Sequence, residues 1–213
     1  MNKALTLLIL AFSGALSSAQ IVFEEKVIEH TATVDESNFA AVFKFQNVGD
    51  DTIEIKKPSS SCGCTVPSLE KTTYAPGEEG EITAVFSYGT RSGTQHKTVT
   101  VPTSKGTHEL ALTVDIPLRY SLDVRLLHWK KSEVMAPKTA NFQFHVDLPV
   151  ELIGHTVNEA HYNLDLKISP ESGIVTATIR PTANAPAKIN RTDWEFKTAS
   201  GKIYKIPLYI RVY

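Results

Sequence analysis

Cysteine is scarce in this chain: its 213 residues include two, Cys62 and Cys64, with Gly63 between them. That excludes a scaffold held by several bridges and a closed zinc site built from cysteines alone. Long apolar runs are equally scarce. Residues 4–16 form the longest, short of the roughly 20 needed to cross a bilayer, and no later stretch approaches it. Neither sign of charge dominates. Lys and Arg number 22 against 23 Asp and Glu, for a net charge of −1. The two signs are interspersed, which removes the electrostatic footprint of a nucleic-acid or anionic-membrane binder. Also missing are a Gly-x-Ser-x-Gly elbow, a phosphate-binding glycine loop and a dinucleotide fingerprint. The seven histidines stand as singletons, none paired at the spacing of a metalloprotease motif. No pair of carboxylates is singled out for glycoside hydrolysis, and the expectation is a protein without a catalytic site.

What is present begins with an export signal. Lys3 supplies a positive start, residues 4–16 an apolar stretch, and Ser17-Ser18-Ala19 small residues ahead of Gln20. Residues 1–19 are therefore expected to be a signal peptide and the mature chain to be exported, periplasmic or secreted, with no membrane span. No cysteine follows the cleavage position, which argues against a lipid anchor.

The mature chain has a period of two throughout. Phe39, Ala41, Phe43 and Phe45 fall on one face of a strand, with Ala40, Val42, Lys44 and Gln46 on the other. Asn47-Val48-Gly49-Asp50-Asp51 then supplies turn formers, and Ile53 and Ile55 resume the alternation. At Tyr74-Ala75-Pro76-Gly77, proline presets the first central residue of a turn and glycine can take the positive φ of the second. Ile82, Ala84, Phe86 and Tyr88 follow, then Val99 and Val101, then Leu110, Leu112, Val114 and Ile116. Beyond Pro117 the pattern continues without a glycine-serine linker through Phe142, Phe144 and Val146, Leu164, Leu166 and Ile168, Val175, Ala177 and Ile179, Trp194 and Phe196, and Ile206, Leu208, Ile210 and Val212. Pro207 places this last strand at a sheet edge. No helical period competes. The fold expected is all-β: two tandem immunoglobulin-like antiparallel β-sandwich domains after the signal peptide, at 20–117 and 118–213.

Phe43-Lys44-Phe45-Gln46-Asn47-Val48-Gly49, then Ser61-Cys62-Gly63-Cys64-Thr65, then Pro76-Gly77-Glu78 and a strand ending at Phe86 together resemble domain-of-unknown-function family 1573. That family occurs in exported bacterial proteins and is distantly similar to immunoglobulin-like domains of the major sperm protein and Hydin type. The resemblance covers residues 39–114, and its most specific part is the Ser-Cys-Gly-Cys-Thr box. It implies a β-sandwich and carries no settled activity. Leu127-His128-Trp129 resembles what often follows the domain.

The cysteine box admits three chemistries. Exported thiols tend to oxidise, and a chain turning at Gly63 can bring Cys62 and Cys64 within disulfide reach as a local clamp. A three-residue loop restricts the unfolded chain by only about 1.5 kcal/mol, so stability alone is a weak reason for this spacing. Alternatively, a small surface disulfide could exchange with other thiols. No histidine flanks the pair to lower a thiol pKa, and Lys56 and Lys57 are the nearest cations in sequence. Finally, the reduced pair would offer soft thiolates to Cu(I). A fuller metal site would have to recruit His96, His108 or Asp50-Asp51. Ser59, Ser60 and Ser61 are expected to hydrogen-bond the loop backbone.

Trp129 and Trp194 are expected in the core, and His128 on an ordinary strand. The function expected is a non-catalytic binding or envelope-associated module whose partner is a protein or another cell-envelope component. The alternative is an exported thiol-disulfide or copper-binding protein acting through Cys62 and Cys64.

Overall fold

The computed structural model describes residues 20–132 and 136–213. The expected signal peptide, 1–19, lies outside the described residues. Across them the fold is all-β, with one short 3₁₀ turn at Pro170–Ser172. Two compact units divide the chain. The first comprises residues 20–29, Asn38–Ser87 and His96–Thr113; the second comprises His30–Ser37, Tyr88–Gln95 and Val114–Tyr213.

One four-stranded sheet of the first unit orders Ile21–Phe23, Asn38–Asn47, Glu79–Ser87 and Thr65–Leu69 side by side, all antiparallel. A second sheet orders Val27–Thr31, Gly106–Ile116, Gly93–Thr103 and Ser59–Ser60. The period of two does what a pleat requires: Ala41, Phe43 and Phe45 are buried while Ala40, Val42, Lys44 and Gln46 face out. Ile82, Ala84 and Phe86 of the paired strand are likewise buried, as are Val99, Val101, Leu110 and Leu112 of the second sheet. The inner faces meet, with the Phe23 ring 5.5 Å from that of His108. A short pair, Ile53–Glu54 with Thr73–Tyr74, closes one end, and Tyr74 stacks edge-on against Phe45 at 4.8 Å. Gly77 holds φ +78, as its place after Pro76 requires.

The second unit repeats the plan. One sheet orders Tyr120–Leu122, Lys138–Phe144, Ile174–Pro181 and Tyr162–Ser169; the other orders Leu126–Trp129, Ile203–Val212, Ile189–Thr198 and Val150–His155. Between them Phe142 and Phe144 pack on Phe196 at 5.1 and 4.7 Å, and Phe142 on Trp194 at 5.1 Å. Trp129 and Trp194 both lie in this core. The buried Trp194 Nε1–H donates to Thr192 Oγ1, which in turn donates to the Leu208 carbonyl, so the indole brings no orphaned polar atom into the core.

The structure departs from expectation in three places. The C-terminal strand is not an edge: it lies between Leu126–Trp129, with which it pairs in parallel, and Ile189–Thr198. Pro207 is tolerated because of direction. Tyr209 N–H points toward the parallel neighbour and donates to the Arg125 carbonyl. Pro207, two residues earlier, points the same way, beyond the point where that neighbour begins. Val146 is 70% exposed, because the strand ends at Phe144 and His145–Leu148 turns back on itself through a Leu148 N–H bond to the His145 carbonyl. Ile168 also faces out, near the end of the Tyr162–Ser169 strand.

Candidate functional site

The cysteine box is the corner at which the chain leaves one sheet and enters the other. Ser59–Ser60 is the outer strand of the second sheet, paired with Thr100 and Val99. Beyond the corner Thr65–Leu69 is the outer strand of the first, with Thr65 opposite Phe86. Cys62, Gly63 and Cys64 make the crossing, and the two sulfurs are joined in a disulfide with 5.2 Å between the Cα atoms. That separation lies within the ordinary range for a bridge, so the turn accommodates it.

Both ends of the corner are tied into ladders. Ser61 N–H donates to the Thr98 carbonyl at 3.0 Å, and Thr98 N–H returns a bond to Ser61 Oγ at 3.2 Å. On the far side Ser87 N–H donates to the Cys64 carbonyl at 2.9 Å, and Thr65 N–H closes the turn on the Cys62 carbonyl at 3.2 Å. Ser60 Oγ sits 2.6 Å from the Cys62 carbonyl and 2.5 Å from the Thr65 carbonyl, donating to one at a time. The expected serine-to-backbone bonds are thus found at Ser60 and Ser61. Thr65, the last residue of the box, touches the bridge as well: its buried hydroxyl lies 3.7 Å from Cys62 Sγ, and because an oxidised sulfur carries no proton, the hydroxyl is the donor.

Gly63 is exposed, its φ is not positive, and a Cβ there would meet nothing within 4 Å. Neither the φ nor the space at Gly63 demands glycine. Cys62 and Cys64 are each partly exposed. With the sulfurs bonded to each other, neither is a thiolate, and the oxidised pair does not fit a soft cation such as Cu(I). Among the described residues, no group of three or more His, Cys, Asp and Glu side chains converges, so His96, His108 and Asp50-Asp51 do not join the pair.

Beside the corner the outward face of the first sheet carries a row of small apolar side chains. Val66 is 63% exposed and lies opposite Val85, which lies opposite Ala40 across the next ladder; Val42, two residues along, also faces out. Sequence reading placed Ala40 and Val42 on that face but did not place Val66 or Val85 beside them, because strand order is not written in alternation.

Residues 21–116 match the model of the family described as "Protein of unknown function (DUF1573)". No curated protein matches the chain. Among solved structures, a protein of unknown function from Porphyromonas gingivalis is 8% identical, with 90% of this chain and 99% of that one covered and a TM-score of 0.36. The E. coli chaperone DraB is 12% identical, with 90% and 97% covered and a TM-score of 0.37. The Pseudomonas aeruginosa CupB2 chaperone is 7% identical, with 88% and 99% covered and a TM-score of 0.37.

Proposed function

We propose, taking the match of residues 21–116 to DUF1573 as the premise, that this chain is an exported, non-catalytic module that binds a protein or another cell-envelope component at its disulfide-closed corner. The observation that supports this reading is the Val66–Val85–Ala40 row beside the corner. An exposed apolar row running inward from an outer strand contributes nothing to the core and offers apolar area to a contact surface. The strand bearing Val66 is held at its start by the disulfide turn and along its length by its ladder with Ile82 to Phe86, so little order remains to be imposed when a partner docks. Export is supported by the leader pattern of residues 1–19 and by a disulfide, which persists in oxidising compartments.

The test is capture from the envelope fraction of the native host with wild-type protein and with Val66→Asp. Loss of the captured partner in Val66→Asp, with the β-sheet circular dichroism unchanged, is the expected result. Equal capture by both would contradict the reading.

The alternative, thiol-disulfide exchange, has one observation in its favour: Cys62 and Cys64 are both partly exposed. An incoming thiolate would attack one sulfur, form a mixed disulfide and release the other as a thiolate. Copper binding would require that reduction first.

A further inference from the structure

The second unit contains a cavity of about 590 Å³ whose wall is unusual in its charge. Three arginines, Arg91, Arg119 and Arg125, line it together with Tyr120, Tyr204 and Tyr209, and among the described residues no acidic residue or lysine takes part. Arg119 is the unexpected member. It is only 5% exposed, yet its partners are main-chain carbonyls rather than a carboxylate. Nε donates to the Val34 carbonyl at 3.1 Å, Nη1 to the Arg91 carbonyl at 3.3 Å and Nη2 to the Glu36 carbonyl at 2.6 Å. Its guanidinium stands 5.8 Å from the Tyr88 ring. Three of its five N–H groups are thus engaged.

Carbonyl dipoles orient a buried guanidinium without cancelling its charge, and such a charge is expensive unless an anion meets it. Its field reaches neighbouring groups: the Lys202 ammonium is held below its ordinary value by burial first and by the Arg119 charge second, against an opposing pull from Asp35. Nearby, the buried Tyr204 hydroxyl has no hydrogen-bond partner.

We propose that this cavity is a binding site for a small organic anion, a carboxylate head on an aromatic or apolar body. Arg119 supplies a fixed fork for the head, Arg91 and Arg125 are exposed side chains able to close on it, and the tyrosines flank the body. The ligand class and the unit differ from those of the corner, so the two assignments stand or fall separately.

The experiment is an amide NMR titration of the full chain at constant ionic strength with benzoate and, separately, inorganic phosphate. Saturable benzoate shifts confined to residues 89–92, 118–122 and 204–209 are expected. Arg91→Gln and Arg125→Gln, both at exposed side chains, should each weaken benzoate about tenfold, the loss of one charge-assisted contact. Arg119→Lys, which keeps the charge and removes the fork, should weaken it as much or more; if that variant does not fold, the two exposed variants decide. Absence of saturable benzoate shifts, or unchanged affinity in the Arg91→Gln/Arg125→Gln pair, would overturn the site. Phosphate binding as tightly as benzoate would overturn the apolar half of the assignment.

Discussion

The carbonyl of Cys64 accepts a hydrogen bond from the Ser87 N–H at 2.9 Å, which ties one half of the disulfide to a strand of the first sheet. The corner is therefore held by the ladders on both sides as well as by sulfur. A Cys62→Ser/Cys64→Ser variant should keep its fold and lose no more than about 1.5 kcal/mol, the value expected for so short a loop. Urea unfolding measures this, and a loss beyond about 4 kcal/mol would mean that the bridge holds far more than its own turn.

Two glycines should respond oppositely to alanine. At Gly63 a Cβ meets open space at an ordinary φ, so Gly63→Ala should change stability by less than about 0.5 kcal/mol, or raise it slightly by stiffening the unfolded chain. At Gly80 a Cβ would fall 2.5 Å from Phe45 Cζ and closer still to Tyr74 Cε1, and both rings pack in the core. Gly80→Ala should cost about 1–3 kcal/mol as those rings are displaced. Thermal unfolding of the two variants side by side provides the check.

Asn47 is fully buried, and its side chain ties together the turn that follows it. Nδ2 donates to the Asp51 and Tyr74 carbonyls, both at 2.9 Å, and Oδ1 accepts from Gly49 N–H at 3.1 Å. Asn47→Ala would remove all three of these bonds from a buried turn and should cost about 2–5 kcal/mol. Faster amide exchange at Gly49 would accompany it, whereas protection equal to wild type would show that the bonds are not made.

Glu36 makes stability depend on acid. Burial pushes its carboxyl up, but the Tyr88 hydroxyl, the Thr33 N–H and His30 together bring it below its ordinary value. Tyr88 Oη donates to it at 2.6 Å, and His30 Nε2 lies 2.8 Å away. A carboxyl whose folded pKa is depressed contributes stability above its unfolded pKa and loses it as pH falls through the folded one. The melting temperature should therefore fall below about pH 4.5, the ordinary value of the carboxyl, and Glu36→Gln should flatten that part of the profile while lowering the plateau at neutral pH. A profile unchanged by the substitution would mean that Glu36 is not the group responsible.

How far the sequence spoke depended on whether the signal was local. Alternation at Phe43 and Phe45, and at Leu208 with Ile206 and Ile210 on either side of it in the last strand, reports one face of one strand, and these residues are buried as the pattern requires. Pro207 misled because the rule that proline marks an edge presumes that both sides of a strand are paired along its whole length, and here the parallel neighbour starts later. Val146 continued an alternation that the backbone had already left at Phe144. The cysteine pair could be located from sequence, but its position between two outer strands depended on pairings with Val99, Thr100 and Phe86, far away in the chain. Arg119, between Leu118 and Tyr120, carried no signal of burial, since its partners are main-chain carbonyls of residues 34, 36 and 91.

The most direct test of the claim that the corner is a closed, shape-holding disulfide is thiol titration of the purified protein, before and after reductant. The expected result is no reactive thiol before reduction and two afterwards, from Cys62 and Cys64. Two free thiols in the protein as isolated would contradict it.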